Sequence, residues 1–193
     1  MDTTRPSLLL RLKDRSDADA WRTFDTLYRP ILYRFARRRG LAHADAEDVT
    51  QHCLTVISTH IGTFDYDPRR GRFKSWLRTL VNNRVHNLLR DRHERQGDTS
   101  VFEIAQQSAV SPEEAFDHTW LEEHLWHCLR ELQAEIDPTT YRAFEAYVIE
   151  QKPLDEVCRE LNLTANNVYT IKWRVTRKVA QRMRELTGES EGS

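Results

Sequence analysis

Residues 153–186 read PLDEVCRELNLTANNVYTIKWRVTRKVAQRMREL. Leu154, Val157, Cys158 and Leu161 recur at helical spacing and pattern one short helix. Asn162-Leu163-Thr164 then forms a tight turn, because asparagine tolerates the left-handed conformation nearly as well as glycine. Thr164 is the expected cap of a second helix, whose inward stripe is Val168, Ile171, Val175 and Val179. Asn166, Asn167, Tyr169, Thr170, Lys172, Trp173, Arg174, Arg177 and Lys178 stay outside. Residues 161–187 hold six basic residues and one acidic, a net of +5. A short helix, a tight turn and a basic helix led by polar residues make the helix-turn-helix pattern, whose second helix enters the major groove. The candidate DNA contacts here are Asn166, Asn167, Tyr169, Thr170, Lys172, Arg174 and Arg177. An ordinary helical hairpin with a charged face is the competing interpretation.

Upstream, Phe116, Trp120, Leu121, Leu125, Cys128, Leu129 and Leu132 pattern one face of a helix from Glu113. His124, His127 and Cys128 have a spacing that could clip a metal, but no fourth ligand is evident and Cys128 belongs to the apolar stripe. No metal site is expected. Pro138 should open the next helix, with Tyr141, Phe144, Tyr147 and Val148 inward. Residues 96–112, QGDTSVFEIAQQSAVSP, lack basic residues and periodicity and are expected to be a linker.

Residues 64–95, FDYDPRRGRFKSWLRTLVNNRVHNLLRDRHER, carry nine basic and four acidic residues with Phe64, Tyr66, Phe73 and Trp76 interleaved. Cations attract phosphate, and flat aromatics give unstacked bases a surface. A turn at 65–71 uses Pro68 and Gly71. The helix from Phe73 turns Trp76, Leu77, Leu80, Val81, Val85, Leu88 and Leu89 inward, leaving Arg78, Asn82, Asn83, His86 and Arg90 outside. The candidate contacts are Arg69, Arg70, Arg72, Phe73, Lys74, Trp76, Arg78, Asn82, Asn83 and His86.

Before this stretch, Ser7 can cap a short helix, and Ser16 is expected to open a longer one. Trp21, Phe24, Leu27, Tyr28, Ile31, Leu32 and Phe35 give that helix a continuous buried face, and Pro30 should kink it. A further helix runs from about residue 44 to 61, with Val49, Cys53, Val56 and Ile57 inward. Asp45, Asp48, Gln51, His52 and Thr55 lie opposite. An acidic patch on a DNA-binding module repels phosphate, so it is either solvated surface or a dock for a basic protein.

The net charge of −1 conceals an asymmetry: residues 1–95 carry +7, residues 96–160 carry −11, and residues 161–187 carry +5. Two basic blocks separated by an acidic one point to two nucleic-acid-facing surfaces on different modules. Three widely spaced cysteines suit a reducing cytoplasm rather than a disulfide framework. No stretch is long and apolar enough for a membrane span, and residues 1–15 are not expected to act as a secretory leader. No carboxylate cluster, activated nucleophile or glycine-rich phosphate loop is placed for catalysis, so neither an enzyme nor a cofactor is expected.

The chain resembles bacterial RNA polymerase sigma factors of the extracytoplasmic-function group of the sigma-70 family, over nearly its whole length. The resemblance rests on ADAEDVTQ at 44–51, on Phe64-Asp with RGRFKSWL at 70–77, and on the terminal hairpin, in that order. It implies an all-α protein of two small domains: residues 1–95 for polymerase docking and −10 recognition, a linker at 96–112, and a helix-turn-helix domain at 113–187 for −35 recognition, with a tail at 188–193. It also implies a cytoplasmic protein, monomeric when free, with core RNA polymerase, promoter DNA and an anti-sigma factor as partners. Asp45, Asp48, Gln51 and His52 would dock on the clamp helices of the largest polymerase subunit. The loop and helix from Asp67 to Arg90 would open the duplex and hold bases of the −10 element. Asn162 and Asn167 depart from the family's usual glycine and acidic residue at those places. A helix-turn-helix regulator acting without polymerase is the alternative.

Overall fold

Asp17, rather than Ser16, starts the long N-terminal helix of this computed structural model, which describes residues 6–64, 72–96 and 111–187. The Asp17 carboxylate accepts the Ala20 N–H at 2.9 Å and holds the Arg11 guanidinium with both oxygens. Ser16 is diverted, because its hydroxyl donates to Asp14 at 2.7 Å. Those contacts, Arg11 first, hold the Asp17 carboxyl at about 2. A side chain one place closer to the helix thus took the capping role through an ion pair that spacing alone does not reveal.

Eight α-helices are found among the described residues, with no strand: α1 Pro6–Arg11, α2 Ala18–Arg38, α3 His43–His60, α4 Arg72–Gln96, α5 Pro112–Glu135, α6 Pro138–Phe144, α7 Leu154–Leu161 and α8 Ala165–Thr187. The all-α expectation holds. Helix α2 is continuous through Pro30. The chain divides into two compact units, and the division falls after Glu123. The turn residues at 65–71 and most of the expected linker lie outside the described residues.

In the first unit, α2 buries Phe24, Leu27, Tyr28, Ile31, Leu32 and Phe35, the stripe its periodicity demands. Phe73 of α4 is 1% exposed and meets both Phe24 and Tyr28 edge-on, at 6.0 and 5.3 Å between ring centroids. Trp21 departs from the expected buried face: it is only half-buried. The first half of α5 belongs to this unit. Its Trp120 lies 5.6 Å from Tyr28, and its Phe116 meets Phe35 at 5.4 Å. Leu121 and Leu125, expected inward, are 59% and 37% exposed. The buried stripe of α5 runs instead through Phe116, Thr119, Trp120, Glu123, His124, Cys128 and Leu132, which leaves Leu121 and Leu125 one step off it.

In the second unit, Leu129, Leu132, Phe144, Val175 and Val179 form one cluster, and Ala146, Val157 and Val168 another. Helix α6 is shorter than its periodicity suggests, because residues Glu145–Ile149 form a π-helical turn. The Glu150 N–H reaches back five residues to the Glu145 carbonyl at 2.9 Å. Such a turn widens the helix by one residue and shifts the side chains it carries. Helices α7 and α8 meet through Asn162, at φ 52° and ψ 45°, and its N–H is bonded to the Cys158 carbonyl. Thr164 caps α8, accepting the Asn167 N–H at 3.2 Å.

Because Phe73 is a core residue, Phe73→Ala is expected to cost about 3–5 kcal/mol of stability in urea titration. A loss under about 1 kcal/mol would contradict the buried placement.

Candidate nucleic-acid interface

Helix α8 presents a polar and cationic face because its valines are drawn into the core. Val168, Val175 and Val179 are buried, while Asn166, Asn167, Tyr169, Thr170, Lys172, Arg174 and Arg177 are all exposed. All seven α8 residues named from the sequence therefore lie on the solvent side of one capped helix. Lys172, Arg174 and Arg177 make no ion pair among the described residues. Two of these cations lie over rings instead: Lys172 Nζ is 5.5 Å from the Tyr147 ring, and the Arg177 guanidinium is 5.3 Å from the Trp173 ring. The Thr170 hydroxyl bonds back to the Asn166 carbonyl at 2.9 Å.

Helix α4 is divided in the same way. Leu77, Val81, Val85 and Leu89 are buried, whereas Asn83, His86 and Arg90 are exposed and Arg78 and Asn82 half-exposed. Arg78, Asn82, His86 and Arg90 follow one another at intervals of four, so they form a row along the helix. Trp76 is half-buried, 5.0 Å from Phe64 and 5.8 Å from Phe73. Two other α4 candidates have duties inside the unit. Phe73 fills the core. Lys74, its side chain 11% exposed, pairs with Asp117 of α5 at 2.9 Å and lies 5.7 Å from the Trp120 ring. Arg69 and Arg70 lie outside the described residues, as does the side chain of Arg72.

On α3, Asp48, Gln51 and His52 are exposed on the side away from Val49, Cys53 and Ile57. Asp45 differs from them. Its carboxylate pairs with Arg92 of α4 and is 17% exposed, so it ties two helices together. Partial burial, and then the nearby charge of Arg84, lower the His52 pKa, which disfavours a positive charge on the acidic face. Burial pushes the Cys53 thiol up to about 12, as befits a packing residue.

Beside the α3 face runs a groove of about 700 Å³ lined by Trp21, Arg22, Asp25 and Arg29 of α2 and by Gln51, Leu54, Thr55 and Ser58 of α3. The α2 residues were not among the sequence candidates. The only available signal was the alternation of Arg22, Asp25 and Arg29 along the polar side of α2, which by itself looks like solvated surface. A further set of contacts fixes α5 on α2. Arg34 pairs with the 3%-exposed Glu123 carboxylate at 2.7 Å, and Arg38 binds both Glu122 and the Thr119 hydroxyl.

Residues 24–95, which span the rest of α2 from Phe24, all of α3 and nearly all of α4, match the family described as sigma-70 region 2. Residues 24–95 thus carry a region 2 domain, the domain by which sigma factors of the sigma-70 family are known. Such proteins work with RNA polymerase and promoter DNA in transcription initiation and are initiation factors rather than catalysts. No curated protein matches the chain. No helix among the described residues is long and apolar enough to cross a membrane.

The different surroundings of the two aspartates give a direct test. Asp45→Asn is expected to lower stability by about 1 kcal/mol, because Arg92 loses its partner, whereas Asp48→Asn should leave the urea midpoint unchanged. Equal midpoints for the two variants would contradict the Asp45–Arg92 tie.

Proposed function

We propose that this chain is a sigma factor of the extracytoplasmic-function group, with two recognition surfaces and one docking surface. The observation that carries the reading is the match to region 2 at 24–95, accompanied by a separate capped basic helix, α8, at 165–187. In this reading α7 and α8 form a helix-turn-helix that holds the −35 element as duplex. Asn166, Asn167 and Thr170 face base edges, and Lys172, Arg174 and Arg177 face phosphates. The left-handed Asn162 supports it, since that residue does the work of the glycine usual in such turns.

Helix α4 and the segment before it take the strand-separated −10 element. Arg69, Arg70, Arg72 and Arg78 neutralise phosphates, Asn82, Asn83 and His86 offer hydrogen bonds, and Trp76 offers a ring edge. Lys74 joins them only when its pair with Asp117 opens, and Phe73 supports the surface from below. Extruding a base costs a few kcal/mol, and each base stacked on the protein returns about 1–3 kcal/mol. A few captured bases therefore tip melting without ATP and without a catalytic residue.

The exposed α3 face, with Asp48, Gln51 and His52, docks on a basic surface of the polymerase clamp, and Trp21 and the α2–α3 groove extend that dock. Acidic residues repel DNA but attract a basic protein, which accounts for their place next to a nucleic-acid surface. The chain acts in the cytoplasm as a monomer until polymerase binds it, and an anti-sigma factor holds it in reserve.

Run-off transcription with core polymerase on genomic fragments should yield promoter-dependent transcripts. Asp48→Arg should abolish them and co-purification with polymerase while leaving the thermal melt intact. Transcripts at wild-type level from Asp48→Arg would sink the docking assignment, and a chain that binds duplex sites tightly without polymerase would point to a free-standing regulator. Arg174→Ala should lower the slope of log affinity against log salt by about 0.9, the value for one lost phosphate contact. An unchanged slope would remove Arg174 from the phosphate set.

A further inference from the structure

Trp173 is the most exposed large hydrophobic side chain among the described residues, at 62%, and it lies in the middle of the cationic face of α8. It has no part in either core cluster of its unit. With Tyr169, itself 50% exposed, it forms an aromatic patch on a charged face, and exposed patches of that kind mark binding surfaces. What it touches is Arg177, one turn further along, whose guanidinium lies 5.3 Å from the ring centroid. The same arrangement recurs at a second cation of the helix. Lys172 Nζ lies 5.5 Å from the Tyr147 ring, and that ring is held edge-on to Tyr169 at 6.0 Å. Tyr147 belongs to the π-helical turn Glu145–Ile149 and packs against the cluster of Ala146, Val157 and Val168, so its position is anchored.

We propose that Trp173 and Tyr147 are positioning residues for duplex binding, each ring holding one cation of α8 in the orientation in which it meets a DNA phosphate. The inference rests on reading α8 as the duplex-contacting helix. Lys172 and Arg177 flank a shallow hollow of about 340 Å³ lined by Tyr169, Trp173, Thr176 and Ala180. Two phosphate-seeking cations with an apolar hollow between them match a DNA strand, whose phosphates alternate with apolar sugar faces and thymine methyl groups. An arginine or lysine on a free stem surrenders rotamer freedom when it binds, and one already resting on a ring has less to surrender. The ring attracts the cation through its quadrupole and leaves the N–H donors unspent, whereas a carboxylate partner would compete with phosphate for them.

The test is a double-mutant cycle on duplex binding, measured by fluorescence anisotropy with holoenzyme reconstituted from the full chain. The probe is a promoter duplex selected by the wild-type holoenzyme from genomic fragments. Trp173→Ala is expected to weaken binding about two- to five-fold, the range of an exposed cation–π contact, and Trp173→Phe to keep most of it. Arg177→Ala should weaken binding at least as much, and Trp173→Ala in that background should add nothing. Tyr147→Leu, which keeps apolar volume in the cluster, should show the same dependence on Lys172. Losses that multiply in the double variants would overturn the inference, as would Trp173→Leu binding like wild type. So would a Trp173→Ala variant that loses polymerase in co-purification but keeps its duplex affinity, since the ring would then serve a protein partner. A wild-type holoenzyme that selects no duplex would overturn the sigma reading itself, an outcome distinct from the other three.

Discussion

Phe73 sits where α2 and α4 meet, edge-on to both Phe24 and Tyr28, and the arrangement of the first unit depends on that contact. With its ring in the core, Leu77, Val81, Val85 and Leu89 follow at helical spacing and are buried in turn. Arg78, Asn82, His86 and Arg90 are consequently left on the outer side. Burial of an aromatic ring is non-directional in its energy, but a helix can turn only one stripe inward. Placing the apolar stripe therefore places the charged one.

The second unit solves the same problem on α8 with a sharper boundary. The left-handed Asn162 ends one helix three residues before the next begins, and Thr164 satisfies a backbone donor that the new helix would otherwise leave unpaired. The three valines of α8 then commit one side to the core. What remains outside is a helix whose first turn is polar and whose later turns are cationic. The π-helical turn at 145–149 adds a feature of its own, bringing Tyr147 under Lys172.

The stripes of α2, α4 and α8 were legible because burial imposes a period that the residues obey. The acidic face of α3 was legible as a charge pattern. Partnership was not. Asp45 and Asp48 look alike in the sequence, yet one pairs with Arg92 and the other faces solvent. Lys74 looks like a phosphate contact and is held by Asp117, forty-odd residues away. Glu123 and His124 are polar yet only 3% and 2% exposed, while Leu121 and Leu125 read as core and lie outside. In each case the deciding atom belongs to another element, and no local period encodes it.

By itself, the sequence determined the helical class, the tight turn before a basic helix, and the segregation of charge into blocks, because each is a property of neighbouring residues along the chain. The tertiary structure alone decided which charges are spent within the protein and which stay available to a partner. It also decided which cations the rings of Trp173 and Tyr147 lie beside. The physical reason is range: backbone propensity and hydrophobic period act over a few residues, whereas an ion pair or a ring contact depends on which surfaces the packed helices bring within about 3–6 Å of one another.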